Sequence, residues 1–420
     1  MNRFQVFKRY ACRCAGAGLL ISLWLSSAWA EEVGVQASFK PDSAQPQRNK
    51  FNNDTPPSGY CATYPQQCAE NETFSLRVPI TFDSSGPIRA NHEDPRQGGL
   101  IKAPTQWREL TVIHETTGEP ETVKVRIAGI GSRYVTEDVI SLVGGGDDYR
   151  LAHNQLWGSS WVNAPAPCQY SGVGAFGPNR YTFFWKTPSE GACEKQAKFE
   201  VPWMTYQYLD FAYELVTPNP LGMSSGTYRG SLTYTIGPYG DFDMGDVMQP
   251  SSSALTLNFT LDVQHTLKVD VPPGGNRVEL VPQGGWQSWL QQGRKPTRLF
   301  RDQTFNISAS SRFKMNLECQ YVSGNTCALW EPTAGHAVAL NVVVTLPNGL
   351  TDVASQPVNR RPLRLDGSGT ELFQPGFYVD RKPRTLHFEI VQDEVKEMLK
   401  PGVARTYSGN VTVIWDSEVG

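Results

Sequence analysis

The C-terminal end of the chain alternates apolar and polar side chains at a period of two. Tyr407, Val411, Val413 and Trp415 fall on one face, and only Ile414 interrupts the pattern. This alternation, with its β-branched and aromatic content, predicts a half-buried β-strand. A sheet that stops on such a strand leaves unpaired backbone groups at its edge, where another chain can pair. We therefore expect a sheet that a neighbouring subunit completes.

Residues 1–30 are predicted to be a signal peptide. A basic segment precedes an apolar run from Ala15 to Leu25, and Ala28-Trp29-Ala30 fits a small-x-small cleavage site. The apolar run is shorter than the roughly 18 residues that a membrane-spanning helix needs. We expect an exported mature chain that begins at Glu31, with no membrane anchor.

The overall composition favours strands over helices and gives no sign of nucleic-acid binding. The formal net charge is −3 with a pI near 6.1, and the charged residues are interspersed, without a basic stripe. The chain has 38 Gly and 30 Pro but only 19% charged residues, which indicates many short strands and turns.

The chain has eight cysteines, of which Cys12 and Cys14 leave with the signal peptide. An even remainder in an exported protein indicates disulfides. The remaining six cysteines allow roughly fifteen connectivities, and pairing between near neighbours is the simplest. No C-x-x-C with matching histidines occurs, so zinc is not expected. The predicted disulfides are Cys61–Cys68, Cys168–Cys193 and Cys319–Cys327.

The strand pattern predicts an all-β protein with two immunoglobulin-like β-sandwich domains in tandem. Alternating segments separated by Gly, Pro, Asn and Asp begin at Phe74 and continue to the C-terminus. We place the domains at residues 31–262 and 263–420. The second shows about six strands where a constant-type immunoglobulin sandwich has about seven, so one strand is missing. Residues 31–60 are expected to be extended or loosely packed, and the one clear helix is short, near Asp393–Leu399.

Three segments match enzyme or metal motifs by spacing alone. Gly172–Gly177 fits G-x-G-x-x-G, but a strand follows it where a dinucleotide fold needs a helix, which favours a glycine-rich loop. Gly222–Gly226 fits G-x-S-x-G but precedes a strand, so it is a turn. Asp241, Asp243 and Asp246 offer oxygen ligands for a cation without EF-hand spacing, and a plain acidic turn is favoured. We expect no metal, no cofactor and no catalytic site.

Aromatic residues near the middle of the chain are the remaining candidates for a ligand site. An aromatic face can hold the C–H side of a sugar while polar groups bond its hydroxyls. The alternative, which the sequence favours, is that these rings fill a sandwich core. The candidate residues are Trp157, Trp161, Arg180, Tyr181 and Trp185.

The chain resembles the tip adhesins and minor pilins of alternate-class chaperone–usher fimbriae, the family of the cable-pilus biogenesis initiator and the colonisation-factor tip subunits. The resemblance is carried by the signal peptide, the two-part layout and three segments. These are the linker region Leu255–Pro273, the motif Gly226–Tyr234 and the ending Tyr407–Asp416, whose Y-x-G-x-V-x-V pattern is typical of final pilin strands.

The resemblance implies a C-terminal pilin domain that lacks its last strand and an N-terminal adhesin domain that binds a host receptor, usually a glycan. A periplasmic chaperone, an outer-membrane usher and the major pilin are the implied partners, and the fimbrial tip is the implied location. A strand from the next subunit would replace the missing one and fill a groove. The residues expected to line this groove are Val269, Val271, Tyr407, Val411, Val413 and Trp415.

Two alternatives remain open from the sequence. The alternating residues Val33, Val35, Ala37 and Phe39 fit a donor strand, in which case the subunit would not be confined to the tip. The chain also fits a secreted or periplasmic carbohydrate-binding protein outside any fimbria, whereas an enzyme would need a polar constellation that the sequence does not reveal.

Overall fold

A computed structural model describes residues 30–293, 295–400 and 405–417. The predicted signal peptide lies outside this range, except that Ala30 is already the first residue of a strand. The fold is all-β, as predicted, and short helices interrupt the strands. Among the described residues, no helix has the length and apolar character needed to cross a membrane.

The first part of the described chain has fifteen strands and four α-helices. The strands are β1 (Ala30–Phe39), β2 (Asn52–Asn53), β3 (Phe74–Val78), β4 (Phe82–Ser84), β5 (Gly99–Ile101), β6 (Arg108–His114), β7 (Pro120–Val135), β8 (Gln169–Gly177), β9 (Arg180–Lys186), β10 (Cys193–Lys195), β11 (Thr205–Tyr206), β12 (Leu209–Val216), β13 (Gly226–Thr235), β14 (Met248–Pro250) and β15 (Ala254–Val263). The helices are α1 (Tyr60–Thr63), α2 (Pro65–Glu70), α3 (Val139–Leu142) and α4 (Tyr149–Trp157).

The second part of the described chain has eleven strands and two helices. The strands are β16 (Leu267–Asp270), β17 (Leu299–Ala309), β18 (Phe313–Cys319), β19 (Tyr321–Ser323), β20 (Thr326–Glu331), β21 (His336–Thr345), β22 (Leu350–Asp352), β23 (Arg361–Pro362), β24 (Phe373–Pro375), β25 (Val379–Ile390) and β26 (Val411–Ser417). The helices are α5 (Gly285–Gln292) and α6 (Gln392–Met398).

Two large hydrophobic cores contain most of these elements, and a small third cluster lies around the Cys61–Cys68 disulfide. The first core extends from Val33 to Val263 and the second from Leu267 to Trp415. In the first core, thirteen strands form one continuous sheet. The long strand β7 connects its parts, because its first half pairs with β6 and its second half with β9, while β12 follows its other side.

The N-terminal strand β1 is an integral part of the first core. It pairs in parallel with β15 along its whole length, from Ala30 opposite Ala254 to Phe39 opposite Val263. The side chains of Val35, Ala37 and Phe39 are fully buried. The expectation that this segment is loosely packed is therefore wrong. The donor-strand alternative is also wrong for this state of the protein, because the apolar residues that would be donated already fill their own domain.

The second core lies between two sheets. One is a seven-stranded sheet with the order β16-β17-β25-β21-β20-β19 and β23 beside β21, and the other has the order β22-β24-β18-β26. Side chains from both meet in one cluster, with Phe305, Phe313 and Phe388 among them. This is the layered arrangement of a β-sandwich.

The residues between β1 and β2, 40–51, form a segment that we call the strap. The carbonyl of Pro46 in the strap accepts a hydrogen bond from the backbone N–H of Tyr378 in the second part, at 3.1 Å. His265, in the connection between the cores, contacts the Met223 carbonyl at 3.0 Å and the Ser310 hydroxyl at 3.2 Å through its two ring nitrogens. The two parts therefore touch at more than their covalent link.

All three predicted disulfides are present, with Cα–Cα distances between 5.4 and 5.8 Å. The sequence reading missed helices α4 and α5, and it predicted a loop at Gly172–Gly177, which lies in strand β8. Glycine fits that strand because a Cβ at Gly174 would come within 2.8 Å of Val162. The predicted helix near Asp393 is α6.

The burial of β1 gives a stability prediction. Replacing Phe39, which is 1% exposed, by Ala should lower the free energy of unfolding of the mature chain by roughly 3–5 kcal/mol. The matched control is Gln36→Ala, an exposed position of the same strand, which should change it by less than about 0.5 kcal/mol. Denaturant unfolding measures both. Equal stability of the two variants would contradict the integral role of β1.

Candidate functional site

The C-terminal strand β26 contributes one face to the second core. It pairs antiparallel with β18, which sets Trp415 opposite Met315 and Val413 opposite Leu317. Its inward side chains Val411, Val413 and Trp415 pack against the core but stay partly exposed, while Leu317 and Met315, opposite Val413 and Trp415, are buried. These apolar side chains are left partly uncovered on the side of β26 that faces away from β18.

That side of β26 is an open edge. Within the described ranges, β26 has no strand partner other than β18. On the opposite sheet, β16 pairs with β17 only between Asn306 and Ala309. A strand edge of this kind presents a row of backbone donors and acceptors without a ladder.

A groove of about 330 Å³ runs along this edge. The ring centroid of Trp415 lies 4.9 Å from that of Phe305 and 5.8 Å from that of Phe313, so the indole closes one end of the core. The polar side chains of the lining are the amides of Asn276, Gln303 and Asn410. The apolar lining is Val271, Val278, Leu280, Phe305, Leu329, Leu340, Leu386, Phe388, Val411, Val413 and Trp415.

The structure brings four of the six predicted groove residues together. Val271, Val411, Val413 and Trp415 line the groove, and Val271 is 49% exposed. Two others lie outside it. Val269 pairs opposite Ile307 in β16 and packs against the core, and the Tyr407 hydroxyl lies 2.9 Å from Nδ1 of His336.

Sequence reasoning missed the wall that the connection between β16 and β17 supplies. Val278 and Leu280 lie in this connection and pack against the second core on either side of the charged Glu279. The alternation of these residues is visible in the sequence. It was not predicted as part of the groove because Pro272-Pro-Gly-Gly275, just before it, is typical of a loop. A bridge between Val281 and Phe300 holds the segment against β17.

The aromatic residues predicted to bind a ligand belong to the first core. Trp157, Trp161, Tyr181 and Trp185 are at most 3% exposed, so their faces cannot hold a sugar, and the prediction is wrong for these four side chains. Only Arg180, at the start of β9, is exposed. The core alternative describes these residues correctly.

Local structure explains the burial of these rings. Asp148 caps α4 by accepting hydrogen bonds from the N–H groups of Arg150 and Leu151, and Gly158 ends the helix in the left-handed conformation. The turn that follows stacks Trp161 on Trp185, with ring centroids 5.2 Å apart. The indole N–H of Trp185 then donates to the Trp161 carbonyl at 2.7 Å.

Two titratable groups sit beside this cluster without a carboxylate partner. Burial lowers the pKa of His153, whose ring nitrogens contact the Tyr134 hydroxyl and the Gly177 carbonyl. Burial also lowers the pKa of Lys195 to about 8, although its ammonium donates to the Ser159 hydroxyl and the Ser160 carbonyl. These hydrogen bonds hold both side chains beside the aromatic cluster.

The acidic turn at residues 241–246 is held by arginines. Arg96 pairs with Asp243 at 2.9 Å and with Asp246 at 2.7 Å, and Arg108 pairs with Asp241. The Asp243 carboxylate is almost fully buried. In the described part of the chain, no group of three or more His, Cys, Asp or Glu residues could hold a metal ion.

Among solved structures, the chain is similar to tip adhesins of fimbriae. CfaE, the adhesive subunit of CFA/I fimbria of enterotoxigenic Escherichia coli, matches at 9% identity with a TM-score of 0.24, over 93% of this chain and 95% of that chain. A chaperone–tip adhesin complex of CFA/I fimbriae matches at 10% identity and a TM-score of 0.24, over 93% and 97%.

The tip subunit in the CsuC–CsuE complex from archaic chaperone–usher Csu pili of Acinetobacter baumannii is also similar. It matches at 11% identity and a TM-score of 0.21, over 92% of this chain and 98% of that chain. No family model matches the sequence, and no curated protein matches it. At these TM-scores the likeness decides nothing about the groove, whose role depends on the geometry of this chain.

The arginine pairs of the acidic turn give a second prediction. Arg96→Met leaves the buried Asp243 carboxylate without its partner and should lower the free energy of unfolding by roughly 3–5 kcal/mol. Arg229→Met, which breaks an exposed pair with Glu115, should lower the free energy of unfolding by at most about 1 kcal/mol. Denaturant unfolding measures both variants.

Because arginines hold the carboxylates of the acidic turn, calcium and EDTA should leave the melting temperature of the protein unchanged. A rise with calcium would show that the carboxylates bind the ion.

Proposed function

We propose that this chain is a tip adhesin, or minor fimbrial subunit, that initiates assembly of a chaperone–usher fimbria by accepting a strand from another chain. The observation that carries the proposal is the apolar groove beside the open edge of β26. A protein that works alone would gain stability by covering such a groove with a strand of its own.

The geometry of the groove fits an extended occupant. Strand addition to an open edge supplies backbone hydrogen bonds, and alternate side chains enter pockets. The edge of β26 would supply the backbone hydrogen bonds, and the apolar lining around Phe305 and Phe388 would supply the side-chain pockets. Burying each large apolar side chain is worth roughly 1.5–3 kcal/mol, so several together favour a bound strand strongly.

The position of β1 supports placement at the tip. A subunit inside a fibre gives a strand to one neighbour and accepts a strand from the other. Residues 31–39, whose alternation suits donation, are held in the first core by nine residue pairs with β15. The chain would then accept a strand without giving one, which suits the end of a fibre.

The remaining parts of the proposal follow from this role. Residues 263–420 would be the pilin domain, which a periplasmic chaperone holds until the usher passes it to the major pilin. Residues 31–262 would be the adhesin domain, which binds a host receptor such as a glycan at the extracellular tip. Export and disulfide formation in the periplasm suit the three bridges. This role needs no catalysis and no cofactor.

The decisive experiment places a charge in the groove. Val413→Asp puts a carboxylate among apolar side chains, where an unpaired charge is strongly disfavoured. We expect loss of chaperone co-purification and of surface fimbriae. The matched control is Ile414→Asp, the same change on the adjacent residue, which faces Asn316 on the other side of the sheet and is absent from the groove lining.

Unchanged chaperone binding by Val413→Asp would place strand acceptance elsewhere. A second measurement tests the open edge directly. The mature chain fused to a donor peptide with alternating apolar residues should melt at a higher temperature than the unfused chain. Equal yield and melting in both forms would exclude the proposed role.

A further inference from the structure

A cavity in the first domain is not explained by strand acceptance. It has a volume of about 600 Å³ and lies between the end of the strap, strand β2 and the segment tied by the Cys61–Cys68 disulfide. Pockets for small organic ligands fall in this range, roughly 300–1,000 Å³. The groove of the second domain shares no lining residue with it.

The floor of this cavity is apolar. Phe51, Phe74 and Leu215 are half-buried and pack against the first core, and both disulfide cysteines contribute to the wall. The disulfide fixes the short helices α1 and α2, so this wall is held in place without a ligand. An apolar surface that is built but not covered favours a hydrocarbon or an aromatic ring over water.

The rim carries two cations without carboxylate partners. Arg48 donates to the Asn52 side-chain oxygen at 2.9 Å, and within the described residues neither Arg48 nor Lys50 lies in an ion pair. Other arginines of this domain, such as Arg77 and Arg126, are paired with Asp210 and Glu214. The lining includes one carboxylate, that of the exposed Glu72.

We propose that this cavity binds a small amphipathic carboxylate, with its charged group on Arg48 and Lys50 and its hydrocarbon body on the apolar floor. Arg and Lys bind carboxylates through charge-assisted hydrogen bonds, and the guanidinium offers two parallel donors. The floor side chains Phe51, Phe74 and Leu215 offer no hydrogen-bonding group, so we assign the carboxylate a hydrocarbon body that packs on them. The amide and hydroxyl side chains of the same lining are Asn52, Asn53, Thr55, Thr73 and Thr217.

Calorimetric titration of the mature chain, residues 31–420, with sodium octanoate tests this inference. Octanoate should bind, while 1-octanol, which lacks the charge, and acetate, which lacks the body, should each bind at least roughly tenfold more weakly. The double variant Arg48→Gln/Lys50→Gln should weaken octanoate binding by at least about tenfold. Leu215→Ala should weaken it by roughly three- to tenfold through loss of apolar contact.

The control variant carries the same change of charge elsewhere. Arg89→Gln/Lys198→Gln removes two exposed cations of the same domain that do not line the cavity, and it should bind octanoate as the unchanged chain does. Equal binding by the Arg48/Lys50 variant would overturn the inference. Loss of octanoate binding in Val413→Asp alone would place octanoate in the groove and would also overturn the inference. Tighter binding of glucuronate than of octanoate would overturn it as well.

Discussion

The pairing of β26 with β18 alone determines how the second domain can be used. Its inward side chains Val413 and Trp415 already pack against the core, so the sandwich is formed. Among the described residues, however, the far side of the strand has no backbone partner, and its apolar face stays partly exposed. Backbone groups and apolar surface are thus exposed at the same edge. A single extended segment satisfies both needs at once, because its backbone completes the ladder and its alternate side chains fill the groove.

The two domains solve the same edge problem in opposite ways. In the first, the N-terminal strand β1 lies parallel to β15 and buries Val35, Ala37 and Phe39 in its own core. In the second, no described segment does this for β26. The N-terminal strand of the first domain is thus covered within its own core, whereas the far side of β26 has no strand partner among the described residues.

Alternation predicted strands well where one face is buried and the other is solvated. The alternation at the C-terminus predicted the inward face of β26, where Val411, Val413 and Trp415 pack against the second core. The same signal could not show which neighbour covers a face. The donor strand therefore stayed open as an alternative for β1, because its partner β15 lies at the other end of the domain in sequence.

The failures at the aromatic cluster and the second cavity share a physical cause. Trp157 and Trp161 read as a ligand surface because the sequence between them is small and polar, whereas helix α4 and its Gly158 cap turn both rings inward. The cavity at the disulfide was missed because its walls come from β1, the strap, α2 and β12. No local pattern contains residues that only the tertiary fold brings together.

The parallel pairing of the first and last strands of the first domain also has a kinetic consequence. β1 is synthesised before the other strands of its domain, yet its ladder partner β15 follows only after all of them. Contacts between such distant segments require a large loop to close and slow folding. The domain cannot close early in synthesis, and Val35 and Phe39 must stay exposed until the segment that ends at Val263 is available to cover them. The last strand of the domain therefore sets the time for which its first strand stays unprotected.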